Sequence, residues 1–198
     1  MTHQELKEKY KDCKRCLKSQ TQTKVFGSGN LSARIAVVGE GPGRDEVADL
    51  TPFVGQAGQL LNRILAAVNL AREDLFFTNT VLCRTSDTNR TPTREECTNC
   101  RDRLFEELSI VQPKFTILAG ATALNTVMEG DYRILKDHGK WYTLLSKPCY
   151  YYFSILHPAW ILHSSTDAET KAKKQVMWED MKQFVQISKV IDDYVHMN

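Results

Sequence analysis

Short runs of β-branched and aromatic residues alternate along this chain with longer runs of helical periodicity, and that alternation leaves few folds open. The segments 34–39 (RIAVVG), 75–80 (LFFTNT), 115–119 (FTILA) and 150–156 (YYYFSIL) read as strands. Between them, 56–69 carries Leu60, Leu61, Ile64, Leu65 and Val68 on one stripe, and 93–111 and 121–128 repeat the helical spacing. Strand, helix and strand in succession imply right-handed crossovers and a parallel sheet. A last helix over 167–190 offers Val176, Met177, Met181, Phe184, Val185 and Ile187 as a packing face. A short charged helix over 4–12, leading into Cys13, is too polar to stand alone and must be tied down by something else.

The chain has 198 residues, 42% of them apolar, which suits one well-buried core and a single domain spanning 1–198. Lysine and arginine number 26 against 24 acids, so only a local basic surface can attract a polyanion. The first residues are charged throughout, and no window approaches the ~18 apolar residues of a membrane span. A cytoplasmic protein without a membrane partner is expected. In that reducing compartment six cysteines argue for thiols, a metal site or a cluster rather than disulfides.

A parallel sheet binds ligands beyond the carboxyl ends of its strands, so distant segments converge on one rim. Gly39-Glu40-Gly41-Pro42-Gly43 follows the first strand, Asn79 closes the second, Gly120-Ala121-Thr122 follows the third and His157-Pro158 the fourth. The glycine loop is not a dinucleotide fingerprint, because its sixth position is Arg44. It can instead bring bare backbone close to a ligand. Phe53, just ahead of the helix at 56, is either a packing staple or a stacking platform. The cysteines allow two arrangements: a zinc site from Cys13/Cys16 and Cys97/Cys100, or a four-thiolate cluster on Cys13, Cys16, Cys83 and Cys100. Either would staple the first helix to the segment after the second strand.

Taken together, VVGEGPGRDE (37–46), TPFVGQAGQLLNRIL (51–65), FFTNTVLCR (76–84), NRTPTREECTNCR (89–101), ILAGATAL (117–124) and LHPAW (156–160) resemble the iron-sulfur, type-4 uracil-DNA glycosylases of bacteria and archaea. The resemblance implies a three-layer α/β/α sandwich around a four-stranded parallel sheet. It also implies a structural [4Fe-4S] cluster on Cys13, Cys16, Cys83 and Cys100, with Cys97 and Cys149 matching no ligand position. Its substrate would be single- or double-stranded DNA containing uracil, attacked by a monomeric, monofunctional N-glycosylase that leaves an abasic site.

Uracil would bind among Glu40, Gly41, Pro42, Phe53, Asn79 and His157. Phe53 would stack on the flipped base. The Asn79 amide would accept from N3–H and donate to O4, a pattern that cytosine reverses. His157 would donate to O2 of the departing anion. Glu40 would orient water as the second catalytic group, unless backbone does so, Glu46 would hinder the thymine methyl, and Ile161 would wedge into the vacated stack. Two other readings remain at this stage: a zinc-stabilised nucleic-acid-binding module without glycosylase activity, and an enzyme acting on free uracil nucleotides.

Overall fold

A computed structural model describes residues 1–16, 23–86, 88–144 and 151–196. Four strands, β2 (Ile35–Gly39), β3 (Leu75–Asn79), β4 (Phe115–Ala119) and β6 (Tyr151–Ile155), form the parallel centre of one sheet. They fall where the sequence predicts strands, save that residue 150 lies outside the described residues. Two short strands extend the expected four to six. β1 (Ser28–Gly29) pairs antiparallel with β3, and β5 (Trp141–Thr143) pairs antiparallel with β6, giving the order β1-β3-β2-β4-β6-β5. Strands of two and three residues are too short to show a period in sequence.

Side-chain alternation along each central strand divides the core into two layers, as a sheet covered on both faces requires. Val37, Phe77, Ile117 and Phe153 lie in register on one face. There they meet Leu60, Leu61, Ile64 and Leu65 of α3 (Gln56–Ala67), together with Met177, Met181 and Phe184 of α8 (Asp167–His196). Ala36, Val38, Phe76, Leu118 and Tyr152 face the other way. They are covered by Leu104, Leu108 and Val111 of α4 (Arg94–Val111) and by Ala123, Leu124 and Val127 of α5 (Ala121–Met128). The expected three-layer α/β/α sandwich is the observed architecture.

α8 outruns its predicted end at 190. Asp192 meets Arg34 at 2.5 Å and Lys114 at 2.6 Å, holding the last turns near the starts of β2 and β4. The N-terminal helix α1 (His3–Tyr10) is capped by Thr2 and Glu5 and buries Leu6 and Tyr10 against Leu82. Polar contacts add to this: Lys9 pairs with Glu106 at 2.7 Å and His3 Nε2 lies in hydrogen-bond contact with Glu107 Oε1 at 3.2 Å. Three short helices have no apolar stripe long enough to read in sequence: α2 (Arg44–Asp49), α6 (Ile134–Asp137) and α7 (Pro158–Leu162). No described helix is long and apolar enough to cross a membrane.

Candidate active site

A cleft of about 390 Å³ opens beyond the carboxyl ends of the central strands. Its lining brings together Gly41, Glu46, Phe53, Asn79 and His157, residues separated by up to 116 positions that only the parallel topology makes neighbours. Glu40 and Pro42 do not line it. Pro42 is buried, and Glu40 turns its carboxylate to the Thr122 hydroxyl, which donates at 2.5 Å. Ala121 and Thr122 of the third strand-end segment line a separate cavity between α4 and α5, together with Cys97.

Phe53 and Asn79 form adjoining walls. Asn79 ends β3 with 4% of its surface exposed, and the Phe53 ring packs at 5.6 Å from Phe77 on the same strand. A Cβ on Gly39, at the end of β2, would lie 2.4 Å from Asn79 Oδ1 and 2.6 Å from Phe53 Cζ. Only glycine at that position lets the amide and the ring approach each other across the strand end. Glu46 enters from the first turn of α2, where its Oε2 accepts the Gly43 N–H at 2.5 Å.

The strand that carries Asn79 is held from beneath by a buried polar network. Arg103 on α4 donates through Nη2 to the Asn79 carbonyl at 2.7 Å and the Thr80 carbonyl at 3.0 Å. Its Nη1 reaches Glu107 Oε2 at 3.0 Å and Thr78 Oγ1 at 3.2 Å. Burial alone would push the Glu107 carboxyl up. His3, Arg103, the Thr78 hydroxyl and the Gly27 N–H together hold it below the ordinary range. One carboxylate thus ties the N-terminal helix to the floor of the cleft.

His157 caps α7, and its Nδ1 accepts the Ala159 N–H at 3.2 Å. That bond assigns the proton of the neutral ring to Nε2. Burial pushes the imidazole pKa down to about 4, so near pH 7 the ring is a neutral N–H donor. Gly120 makes room for it: with φ at 96°, it brings backbone so near that an added Cβ would lie 3.0 Å from His157 Cβ.

Ile161, expected as a wedge, is 1% exposed and belongs to the core between sheet and helices. It cannot enter a base stack without unpacking α7. The next residue, Leu162, is 44% exposed and is the apolar side chain that this turn offers to solvent. Trp160 packs partly buried against the core, with Lys173 Nζ 4.5 Å from its ring centroid.

Cys13 and Cys83 pack together beside Leu82. The Cys16 thiol is pushed up to about 11, chiefly by burial and then by Cys100, with Cys83 adding to it, so Cys16 lies within electrostatic reach of both. Asn99 Nδ2 lies 3.8 Å from Cys16 Sγ and fastens that segment beside Cys100. Burial pushes the Cys97 thiol up, a contact with Thr126 offsets part of that, and Cys100, Glu40 and Glu96 add to the rise; Cys97 packs with Cys100 and Val81 in one buried cluster. Cys149 lies outside the described residues. Among the described residues, no three of His, Cys, Asp and Glu are arranged to hold a metal ion as they stand. The donor set of Cys13, Cys16, Cys83 and Cys100 is all thiol, with Cys100 and Cys83 acting on Cys16 and with Cys13 and Cys83 packed against the same apolar cluster, and that chemistry fits a soft, thiolate-bound group.

Sequence reasoning misses Arg72, Arg103, Glu107 and Leu162. Arg103 and Glu107 carry a signal in retrospect: they flank the apolar stripe of α4 at a four-residue spacing, between Cys100, Leu104, Leu108 and Val111.

The Uracil DNA glycosylase superfamily model matches residues 26–182. Type-4 uracil-DNA glycosylases are similar to this chain. The protein of that name from Thermotoga maritima is 42% identical over 124 residues, 62% of this chain and 64% of that protein. The one from Archaeoglobus fulgidus is 44% identical over 112 residues, 56% of each. The one from Sulfurisphaera tokodaii is 31% identical over 192 residues, 93% of this chain and 84% of that protein. The chain therefore spans less than two thirds of the first two relatives and most of the third.

Proposed function

The chain belongs to the uracil DNA glycosylase superfamily, within its type-4 group, and from that premise we propose that it excises uracil from DNA by hydrolysis. The observation that carries the reading is the meeting of Phe53, Asn79 and a neutral His157 in one cleft at the strand ends. Uracil paired in a duplex is out of reach, so the nucleotide swings out, at a cost of a few kcal/mol that falls in single strands. Leu162 is the residue we assign to the vacated stack, in place of Ile161.

In the cleft, the Phe53 ring supports the base and the Asn79 amide reads N3–H and O4, rejecting cytosine by its reversed pattern. Glu46, which lines the cleft, is the residue we assign to crowding a thymine methyl. The C1′–N1 bond then breaks with its electron pair passing to uracil, and the anion gathers charge at O2. His157 donates Nε2–H to that oxygen. A neutral donor stabilises the anion without transferring a proton, an electrostatic contribution of the oxyanion-hole kind. Water oxygen bonds to C1′ and loses a proton to solvent, leaving an abasic site.

Glu40 supplies backbone at the loop, its carboxylate being engaged by Thr122, so leaving-group stabilisation carries most of the catalysis. We assign no Schiff-base strand-cutting step, and the described residues lining the cleft offer Arg44 and Arg84 but no lysine. Cys13, Cys16, Cys83 and Cys100 would hold a [4Fe-4S] cluster whose chemistry is structural, anchoring the N-terminal segment to α4.

A uracil-containing oligonucleotide tests the reading: the product should carry an alkali-labile site at the uracil position. Intact DNA, with binding or hydrolysis of dUMP alone, would remove it in favour of a nucleotide-directed enzyme. Absorption near 400 nm is expected of the purified protein, whereas a zinc-stabilised binding module would be colourless.

A further inference from the structure

Phe53 holds a backbone conformation that few aromatic residues adopt: its φ is 59°, in the left-handed region. Such a residue keeps that geometry only where its surroundings over-determine it. Arg72 does so here. It comes from the 3-10 turn Arg72–Asp74 just ahead of β3, and it does not line the cleft. Its Nη2 donates to the Pro52 carbonyl at 2.8 Å, and its Nη1 donates to the Phe53 carbonyl at 3.2 Å and to Asn62 Oδ1 at 2.9 Å. The same guanidinium lies 4.2 Å from the centroid of Phe77, the ring against which Phe53 packs. One planar cation therefore grips the chain on both sides of the strained peptide and also the aromatic floor beneath the ring.

We propose that Arg72 is a positioning residue for base recognition: through the Pro52 and Phe53 carbonyls it sets the tilt of the Phe53 ring against Asn79, and so sets uracil affinity without touching uracil. The inference rests on Phe53 being the stacking platform. The fork of the guanidinium matters, because three acceptors and a ring face are met at once. A lysine ammonium, a point charge on a flexible stem, cannot reproduce that set. The two walls of the cleft are thereby built as one unit, since the turn that supplies Arg72 runs directly into the strand that ends in Asn79.

A purely structural arginine would lower stability, or would weaken every ligand alike. A positioning arginine weakens only ligands that present a base. The test uses Arg72→Met, Arg72→Lys, Phe53→Leu and the Arg72→Met/Phe53→Leu pair, comparing affinity for free uracil with affinity for an abasic-site oligonucleotide. Arg72→Met should weaken uracil binding about tenfold, within the range of a lost base–aromatic stack, and leave abasic-site binding within about twofold. Arg72→Lys should recover only part of the loss. In the Phe53→Leu background, removing Arg72 should change uracil affinity by less than about twofold, because the group it acts through is gone.

Equal losses on uracil and abasic DNA, or an undiminished effect of Arg72→Met in the Phe53→Leu background, would overturn the proposal. Wild-type uracil affinity in Phe53→Leu would instead overturn the platform reading itself. If Arg72→Met does not fold, Asn62→Ala, which frees one of the three anchors, is read in the same way. It should give a smaller loss confined to uracil, and no such loss would count against the proposal.

Discussion

Replacing Arg103 by methionine removes a cation that is 1% exposed and meets four oxygen acceptors: the carbonyls of Asn79 and Thr80, the Thr78 hydroxyl and the Glu107 carboxylate. Glu107 is fully buried and would be left with the Gly27 N–H, the Thr78 hydroxyl and His3 as partners. Breaking a buried ion pair from one side costs ~3–5 kcal/mol, and two stranded carbonyls would each add a part of ~1–3 kcal/mol. Taken at its lower end, a total of about 4 kcal/mol is already a large share of the ~5–15 kcal/mol that stabilises a domain. In urea the unfolding midpoint, followed by circular dichroism, should fall by roughly 2 M for a slope near 2 kcal/mol/M. Arg103→Met/Glu107→Leu removes both charges and should cost less than the sum of the single changes by about 2 kcal/mol or more. A loss under about 1 kcal/mol for Arg103→Met, or strict additivity in the double variant, would refute the reasoning.

Further outcomes follow from the same geometry. The Glu107 pKa is held below its unfolded value, so its contribution is present above about pH 4.5 and is lost as pH falls through the depressed folded value. Glu107→Gln should flatten that acid limb of the stability curve. Gly39→Ala drives a methyl between Phe53 and Asn79, and kcat/KM on uracil DNA should drop at least about tenfold. Wild-type kinetics there would show that the two walls need not touch. His157 titrates near 4 in the folded protein against an unfolded value of 6.5, so the stability it confers is complete above 6.5 and declines as pH falls toward 4. An NMR titration of the ring with a midpoint near 6.5 would contradict the neutral-donor role. Cys83→Ala should bleach absorption near 400 nm and loosen the N-terminal helix, while Cys97→Ala should keep both. The reverse pattern would favour zinc.

The architecture was legible because the four central strands and the helices covering them carry strong periods, and because parallel strands must present their carboxyl ends together. That logic collects Gly41, Asn79 and His157 from separate motifs, while Phe53 joins them only through the resemblance. It could not say where side chains turn at the rim. Glu40 was read as facing the ligand, yet a hydroxyl 82 positions away engages its carboxylate. The wedge falls on Ile161 by resemblance alone, and one short turn carries no period to check it; in α7 its side chain faces the core and Leu162 faces out. Arg72 and the Arg103–Glu107 pair were hidden for a different reason. Charged residues read as solvated faces until the third dimension shows what they grip. The spacing of the cysteines leaves Cys97 and Cys83 as rival ligands, and both lie near the other thiols, Cys97 packed with Cys100 and Cys83 acting on Cys16, so the two alanine substitutions decide between them.

The central claim is that this cleft selects uracil in DNA and breaks its glycosidic bond. The direct measurement incubates the protein with oligonucleotides identical except for a single uracil, cytosine or thymine and quantifies the free base released by mass spectrometry. The account predicts uracil release from the first substrate alone, with a sharp loss for His157→Ala in the single-turnover rate but little in DNA affinity. No released base from any substrate, or release of cytosine or thymine at the rate of uracil, would contradict it.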